Sequence, residues 1–213
     1  MTDLPYHKGE RLKLVQLLQQ KGISNPEVLS AIKNVPRHLF FGNGITSHAY
    51  EDKAFPIAAG QTISQPYTVA FQTQLLDVRK GMKVLEVGTG SGYQAAVLIE
   101  LGVSLYTIER IKELQNQAKH KLKDLGYRPK YSGYGDGYKG LPIYAPFDRI
   151  IVTAGAPFIP PALIEQLKPQ GKMVIPVGDK EQKMKLIEKD VEGNITESEH
   201  GTFYFVPLLN NKS

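Results

Sequence analysis

The chain has 213 residues, 41% of them hydrophobic and 22% charged, with a net charge of +5. That length supports one substantial core rather than two, and no apolar run is long enough to span a bilayer. Cysteine is absent, which excludes disulfides, a thiolate metal site and a cysteine nucleophile. Lysines are interleaved with acids, as in Lys180-Glu181-Gln182-Lys183, and no block of like charges marks a nucleic-acid tail. The opening Met1-Thr2-Asp3-Leu4-Pro5-Tyr6-His7-Lys8 lacks the apolar stretch of a secretory signal. A monomer in the cytoplasm, with no membrane and no nucleic-acid partner, is the expectation.

In chain order, Leu12, Leu14, Val15, Leu17 and Leu18 predict an amphipathic helix broken near Gly22. Ser24-Asn25-Pro26-Glu27 matches a capping box with an early proline and opens a second helix carrying Val28, Leu29 and Ile32. Residues 37–65 are loop-rich, and a third helix is expected over 66–76. From Gly81 the texture changes. Strands are predicted over 83–87, 103–108, 130–132, 147–152 and 173–177, with helices over 93–101, 111–125 and 161–167. Short strands alternating with helices specify an α/β fold with a doubly wound, mostly parallel sheet. Two late apolar stretches, 184–189 and 202–206, are expected as antiparallel neighbours at one sheet edge. The whole, 1–213, reads as one domain: a helical cap and substrate segment over 1–80, a nucleotide-type core over 81–178 and C-terminal strands over 179–213.

Val87-Gly88-Thr89-Gly90-Ser91-Gly92 sits where a strand hands over to a helix. Glycines there let a ligand lie against bare backbone. Glu109 falls at the predicted end of the next strand, roughly 20 residues on, where an acid accepts from both ribose hydroxyls in this fold. A dinucleotide turn would need its third glycine at position 93, which is Tyr93, so that pattern fails. A purely structural turn remains one reading. The other is S-adenosylmethionine, which has a ribose but no pyrophosphate and suits the tighter glycine spacing. On that reading Glu86 serves the ammonium group directly or through water, and Ser91 and Arg110 join Gly88, Gly90, Gly92 and Glu109 in the cofactor set. Gly135-Asp136-Gly137 follows the third strand at the same sheet edge. It is either a common Asp-Gly turn or the place where Asp136 accepts from the adenine amino group, with Gly135 beside it.

Several substrate classes drop out. Methylation of pyrimidine carbon needs a thiol that this chain lacks, and Thr153-Ala154-Gly155-Ala156-Pro157-Phe158 does not match the motif of nucleic-acid amino-methylating enzymes. His7, His38, His48, His120 and His200 show no metal-ligand spacing, so no metal is expected. Just upstream of the third helix stands Gly60-Gln61-Thr62-Ile63-Ser64-Gln65-Pro66-Tyr67, polar and uncharged. Taken alone, Ser64 reads as a helix cap.

Taken with its surroundings, this run resembles the protein-L-isoaspartate O-methyltransferase family. The resemblance extends over about 49–208, through Ala49-Tyr50-Glu51-Asp52, the segment 60–66, the glycine turn, Ile108-Glu109-Arg110, Gly135-Asp136-Gly137, Pro176-Val177-Gly178 and Phe205-Val206-Pro207-Leu208. Thr62-Ile63-Ser64-Gln65-Pro66 is its specific marker. Gln170 departs from it, standing where the family usually has a second glycine before Gly171. The resemblance implies a Rossmann-like methyltransferase sheet and transfer of methyl from S-adenosyl-L-methionine to the α-carboxylate of L-isoaspartyl residues in damaged proteins and peptides, leaving S-adenosyl-L-homocysteine. It assigns Ser64 to the active site. Gln61, Thr62 and Ile63 beside it, and Val206 and Leu208 in a C-terminal extended segment, are the candidate substrate contacts. A small-molecule methyltransferase and a non-catalytic nucleotide-binding module are the alternatives. Asn43-Gly44 adds an expectation of its own: in a mobile loop it deamidates readily, so the aged protein becomes its own substrate.

Overall fold

Gly81 onward builds a seven-stranded sheet, and helices from the described residues before it pack against one face. The computed structural model describes residues 2–41 and 46–213; Asn43-Gly44 lies outside them. The elements are α1 (Pro5–Gln20), α2 (Pro26–Asn34), β1 (Phe55–Pro56), β2 (Thr62–Ile63), α3 (Pro66–Leu76), β3 (Lys83–Val87), α4 (Tyr93–Glu100), β4 (Ser104–Glu109), α5 (Lys112–Asp124), β5 (Tyr131–Tyr134), β6 (Phe147–Val152), α6 (Pro161–Glu165), β7 (Leu167–Val177), β8 (Gln182–Lys189) and β9 (Ile195–Phe203). β1 and β2 form a small antiparallel pair. The main sheet runs β5-β4-β3-β6-β7-β8-β9. Its first five strands in that order are parallel, and β8 and β9 are antiparallel additions.

Strands covered on both faces need apolar residues on both, and alternate side chains enter opposite cores. Val84 packs with α1 to α4 in one cluster, while Leu85 and Val87 pack with Phe147, Ile150 and Leu163 in the other. Strand order reverses at β3: the chain steps outward to β4 and β5, then returns to β6 on the other side. The carboxyl ends of β3 and β6 therefore flank a topological switch point, where open α/β sheets bind ligands. No helix among the described residues is long and apolar enough to cross a membrane.

Four details differ from the expectations. The cap of α2 is Asn25, whose side chain accepts from Glu27 and Val28; the Ser24 and Asn25 N–H groups both donate to Gln74 Oε1 instead. In α1 the inward face is Arg11, Leu14 and Leu18, whereas Leu12 and Leu17 are exposed. The last strand lies at Ile195–Phe203 and not at 202–206. Its Thr196, Glu197, Ser198 and Glu199 are exposed, so it carries no apolar signal, as befits an edge strand protected by charge. Finally, β7 begins six residues early, at Leu167, with a register irregularity against β6. In that early stretch Gln170 takes φ 62°, the left-handed conformation of the glycine it replaces.

Candidate functional site

A cleft of about 760 Å³, including its open mouth, lies at the switch point. Its floor is the glycine turn after β3. Gly88 has φ 97°, and a Cβ there would lie 2.6 Å from Thr153 Oγ1, the residue that follows β6. Gly90 has φ 51° and nothing within 4 Å of a Cβ position, so the absent side chain is open space on the cleft wall. That is a cradle a side chain would fill.

Glu109 ends β4 on the same wall, with its residue surface 5% exposed. One carboxylate oxygen accepts from Gly90 N and the other from Ile111 N, both at 2.9 Å. Two backbone donors thus fix the plane of the carboxylate, and each oxygen keeps a lone pair for a further donor such as a ribose hydroxyl.

A further part of the lining comes from β2 and the approach to α3. Gln61, Thr62, Ile63 and Ser64 all line the cleft. Gln65, not Ser64, occupies the N-cap position of α3, and the Ser64 hydroxyl has no hydrogen bond to the described residues, so the helix-cap reading of this serine fails. Val206 and Leu208 close a third side. They are not a sheet strand: the segment crosses over the sheet end and bridges Gly155, with Gly155 N donating to Val206 O at 2.8 Å and Leu208 N to Gly155 O at 2.7 Å. A second hollow shares Thr62, Ser64, Thr153 and Val206 with the first and continues along Tyr67, Phe71 and Phe203.

Residues 9–213 match the family model of protein-L-isoaspartate(D-aspartate) O-methyltransferase. The chain belongs to the protein-L-isoaspartate O-methyltransferase family. Proteins of that name from Christiangramia forsetii and Flavobacterium psychrophilum are 57% and 58% identical over 213 residues, covering 100% of both chains. A solved protein-L-isoaspartate O-methyltransferase superposes with TM-score 0.85 at 28% identity, covering 94% of this chain and 66% of that one. A Plasmodium falciparum structure, described as a protein of this type in complex with S-adenosyl-L-homocysteine, superposes with TM-score 0.81 at 25% identity over 96% and 99% of the two chains.

Within this family member not every expected cofactor residue reaches the cleft. Gly88, Gly90, Ser91, Glu109 and Arg110 do. Glu86 lies beneath the turn, fully buried, in a chain of hydroxyls: Thr107 Oγ1 donates to its Oε2 at 2.6 Å, and Thr89 Oγ1 lies 2.6 Å from Thr107. Burial pushes its carboxyl up to about 8; the Thr107 hydrogen bond opposes the shift and the Glu109 charge adds to it. Its Oε1 has no hydrogen-bond partner among the described residues. Glu86 thus supports the turn from below and is not among the residues that line the cleft. Gly92 packs instead against α5, where a Cβ would press on Leu122 and Ala118. Gly135 would clash with Ile108 and is likewise a packing glycine. Asp136 accepts from Tyr138 N of its own turn at 3.0 Å and from Asn211 N of the C-terminal segment at 3.3 Å, while its neighbour Gly137 lines the cleft. Side chains prefer such local backbone partners when the turn places N–H groups within reach.

Sequence reasoning missed Thr153 and Gln94, both on the cleft wall. Thr153 was findable, because the carboxyl end of β6 is one side of the switch point. Gln94 gave no signal inside the apolar run of α4. Nor are His7 and His38 isolated: their rings stack at 3.7 Å, and with Asp3 they form a group of metal-ligand type. Arg11 holds both Asp3 oxygens at 2.7 Å and reaches Tyr50, so this group joins α1 to the segment before β1.

Proposed function

We propose that this chain repairs damaged proteins by methylating the α-carboxylate of L-isoaspartyl residues, with Glu109 and the glycine turn holding S-adenosylmethionine and Ser64 orienting the carboxylate. The observation that carries the reading is one cleft lined both by a fixed carboxylate beside bare glycine backbone and by the uncharged, hydroxyl-bearing stretch Gln61 to Ser64. The cofactor fits these residues: the Gly88 and Gly90 positions leave room for a ligand, and Glu109 presents preset acceptors. When bound, S-adenosylmethionine supplies an electrophilic methyl group on a sulfonium.

The protein's own part is binding, orientation and exclusion of water. An isoaspartyl carboxylate is ionised at neutral pH, so no general base is required. Anion and cation neutralise one another as the new bond forms, and a Lys or Arg gripping the carboxylate would stabilise the ground state more than the transition state. Ser64 and Thr62 are neutral donors that place the oxygen without adding a counter-charge, so alignment is the main source of rate. A backbone amide nitrogen then attacks the resulting ester, expelling methanol and closing a succinimide, whose hydrolysis returns part of the chain to aspartate. The Val206–Leu208 crossover is the proposed third side of the peptide site, with the adjoining aromatic hollow taking flanking residues. The proposal extends to a single chain acting in the cytoplasm; the absence of a nucleic-acid partner is supported by the mixed, unblocked distribution of charge.

The test is Ser64→Ala. Turnover of an isoaspartyl peptide should fall while affinity for S-adenosyl-L-homocysteine, measured by calorimetry, stays within about twofold. Equal losses in both would make Ser64 a cofactor-pocket residue, and full turnover would remove it from the site.

A further inference from the structure

We propose that Asp52 is a positioning residue for Ser64, capping α3 from outside the helix and so leaving the serine hydroxyl free on the cleft wall. The inference rests on the role of Ser64 given above. The first turn of a helix has N–H groups without partners inside it. In α3 the N-cap residue Gln65 makes no side-chain bond to the helix, and Pro66 has no N–H to satisfy. The first open donor is Tyr67 N, and Asp52 Oδ1 accepts it at 2.8 Å.

The same carboxylate holds the residue next to Ser64. Gln65 Nε2 donates to Asp52 Oδ2 at 3.1 Å and to the Asp52 carbonyl at 3.0 Å. Lys21, just beyond α1, completes the set at 2.6 Å from Oδ2 and neutralises the charge. The Asp52 side chain is 5% exposed, so these bonds form away from competing water. A carboxylate there also suits the positive end of the helix dipole. Asp52 thus ties the cap, residue 65 and α3 into one rigid joint immediately behind Ser64.

If Asp52 is removed, Tyr67 N loses its acceptor. Serine is a favoured cap, and Ser64 carries the nearest hydroxyl in the chain before that N–H. Turning inward to supply the bond would take it off the cleft wall. Asp52 lies in the Ala49-Tyr50-Glu51-Asp52 segment, where sequence alone gives no reason for the acid.

A double-mutant cycle tests this. Asp52→Ala, Ser64→Ala and the double variant are assayed for kcat and KM with an isoaspartyl peptide, and for Kd of S-adenosyl-L-homocysteine by calorimetry. Asp52→Ala, which removes the acceptor for Tyr67 N, should lower kcat about tenfold with Kd within about twofold, and in the Ser64→Ala background the same change should cost less than about twofold. Asp52→Asn, which keeps an Oδ1 acceptor, and Lys21→Met, which removes the ion pair and leaves the cap, should both keep turnover near that of the unmodified chain. The inference is overturned if Asp52→Ala leaves kcat unchanged, if its full loss persists in the Ser64→Ala background, if cofactor affinity falls in parallel, or if Asp52→Asn or Lys21→Met loses as much. A fully active Ser64→Ala would instead remove the reading of the serine itself, and the inference with it.

Discussion

The Gly90 backbone N–H donates to Glu109 Oε2 at 2.9 Å, so the acid at the end of β4 and the glycine turn after β3 are held as one unit. Glu109 thereby shapes the turn as well as facing the cleft.

Two losses should follow from Glu109→Ala. Affinity for S-adenosyl-L-homocysteine should drop by about 1.5–3 kcal/mol, the worth of hydrogen bonds to a charged acceptor. Thermal stability should drop too, because Gly90 N and Ile111 N lose their acceptor. Calorimetry and a melting curve separate the two. Affinity equal to the unmodified chain would place Glu109 in the scaffold alone.

Glu86 sets a pH dependence. Its carboxyl is pushed up to about 8 in the folded chain, against an ordinary value of 4.5. Between those values the folded state binds a proton that the unfolded state has lost, so this group's contribution falls as pH rises from about 4.5 to about 8. Glu86→Gln has no proton to lose there. Urea unfolding without ligand should show the variant gaining on the unmodified chain between pH 5 and pH 9. A difference that stays level across that range would mean Glu86 is charged where it lies.

Gln170→Gly should stabilise the protein. Holding a non-glycine residue at φ 62° costs about 1–2 kcal/mol, partly offset by the roughly 0.5–1 kcal/mol entropy cost of glycine. A net gain of about 0.5–1 kcal/mol would raise Tm by roughly 1–4 °C in a chain of this size. A lower Tm would show that the glutamine side chain makes a compensating contribution.

Much of the fold was legible because local pattern and global arrangement agree. Residues 83–87, 147–152 and 66–76 were placed with their observed bounds, since buried parallel strands and a proline-opened helix announce themselves in apolar runs and punctuation. β9 was misplaced because an exposed edge strand owes its place to pairing with β8 and not to burial. The same division holds at the site. Gly88, Gly90 and Glu109 stand out by type and spacing at strand ends, and Ser64 only through the resemblance; all four line the cleft. The hydrogen bonds of Asp136 and Glu86 have no such signature, since which partner a carboxylate takes is settled by the turn or core around it. Asp52 was hidden for a related reason: its partners Lys21, Gln65 and Tyr67 lie on either side of it in sequence and meet only in the folded chain.

The central claim is tested most directly by methyl transfer to a matched pair of peptides that differ only in an isoaspartyl or an ordinary aspartyl linkage. The purified chain is incubated with labelled S-adenosylmethionine and each peptide, and base-labile methyl ester is counted. The account predicts ester on the isoaspartyl peptide and none above background on its partner, with the signal lost in Glu109→Ala at low cofactor concentration. Equal labelling of both peptides, or of neither, would contradict it.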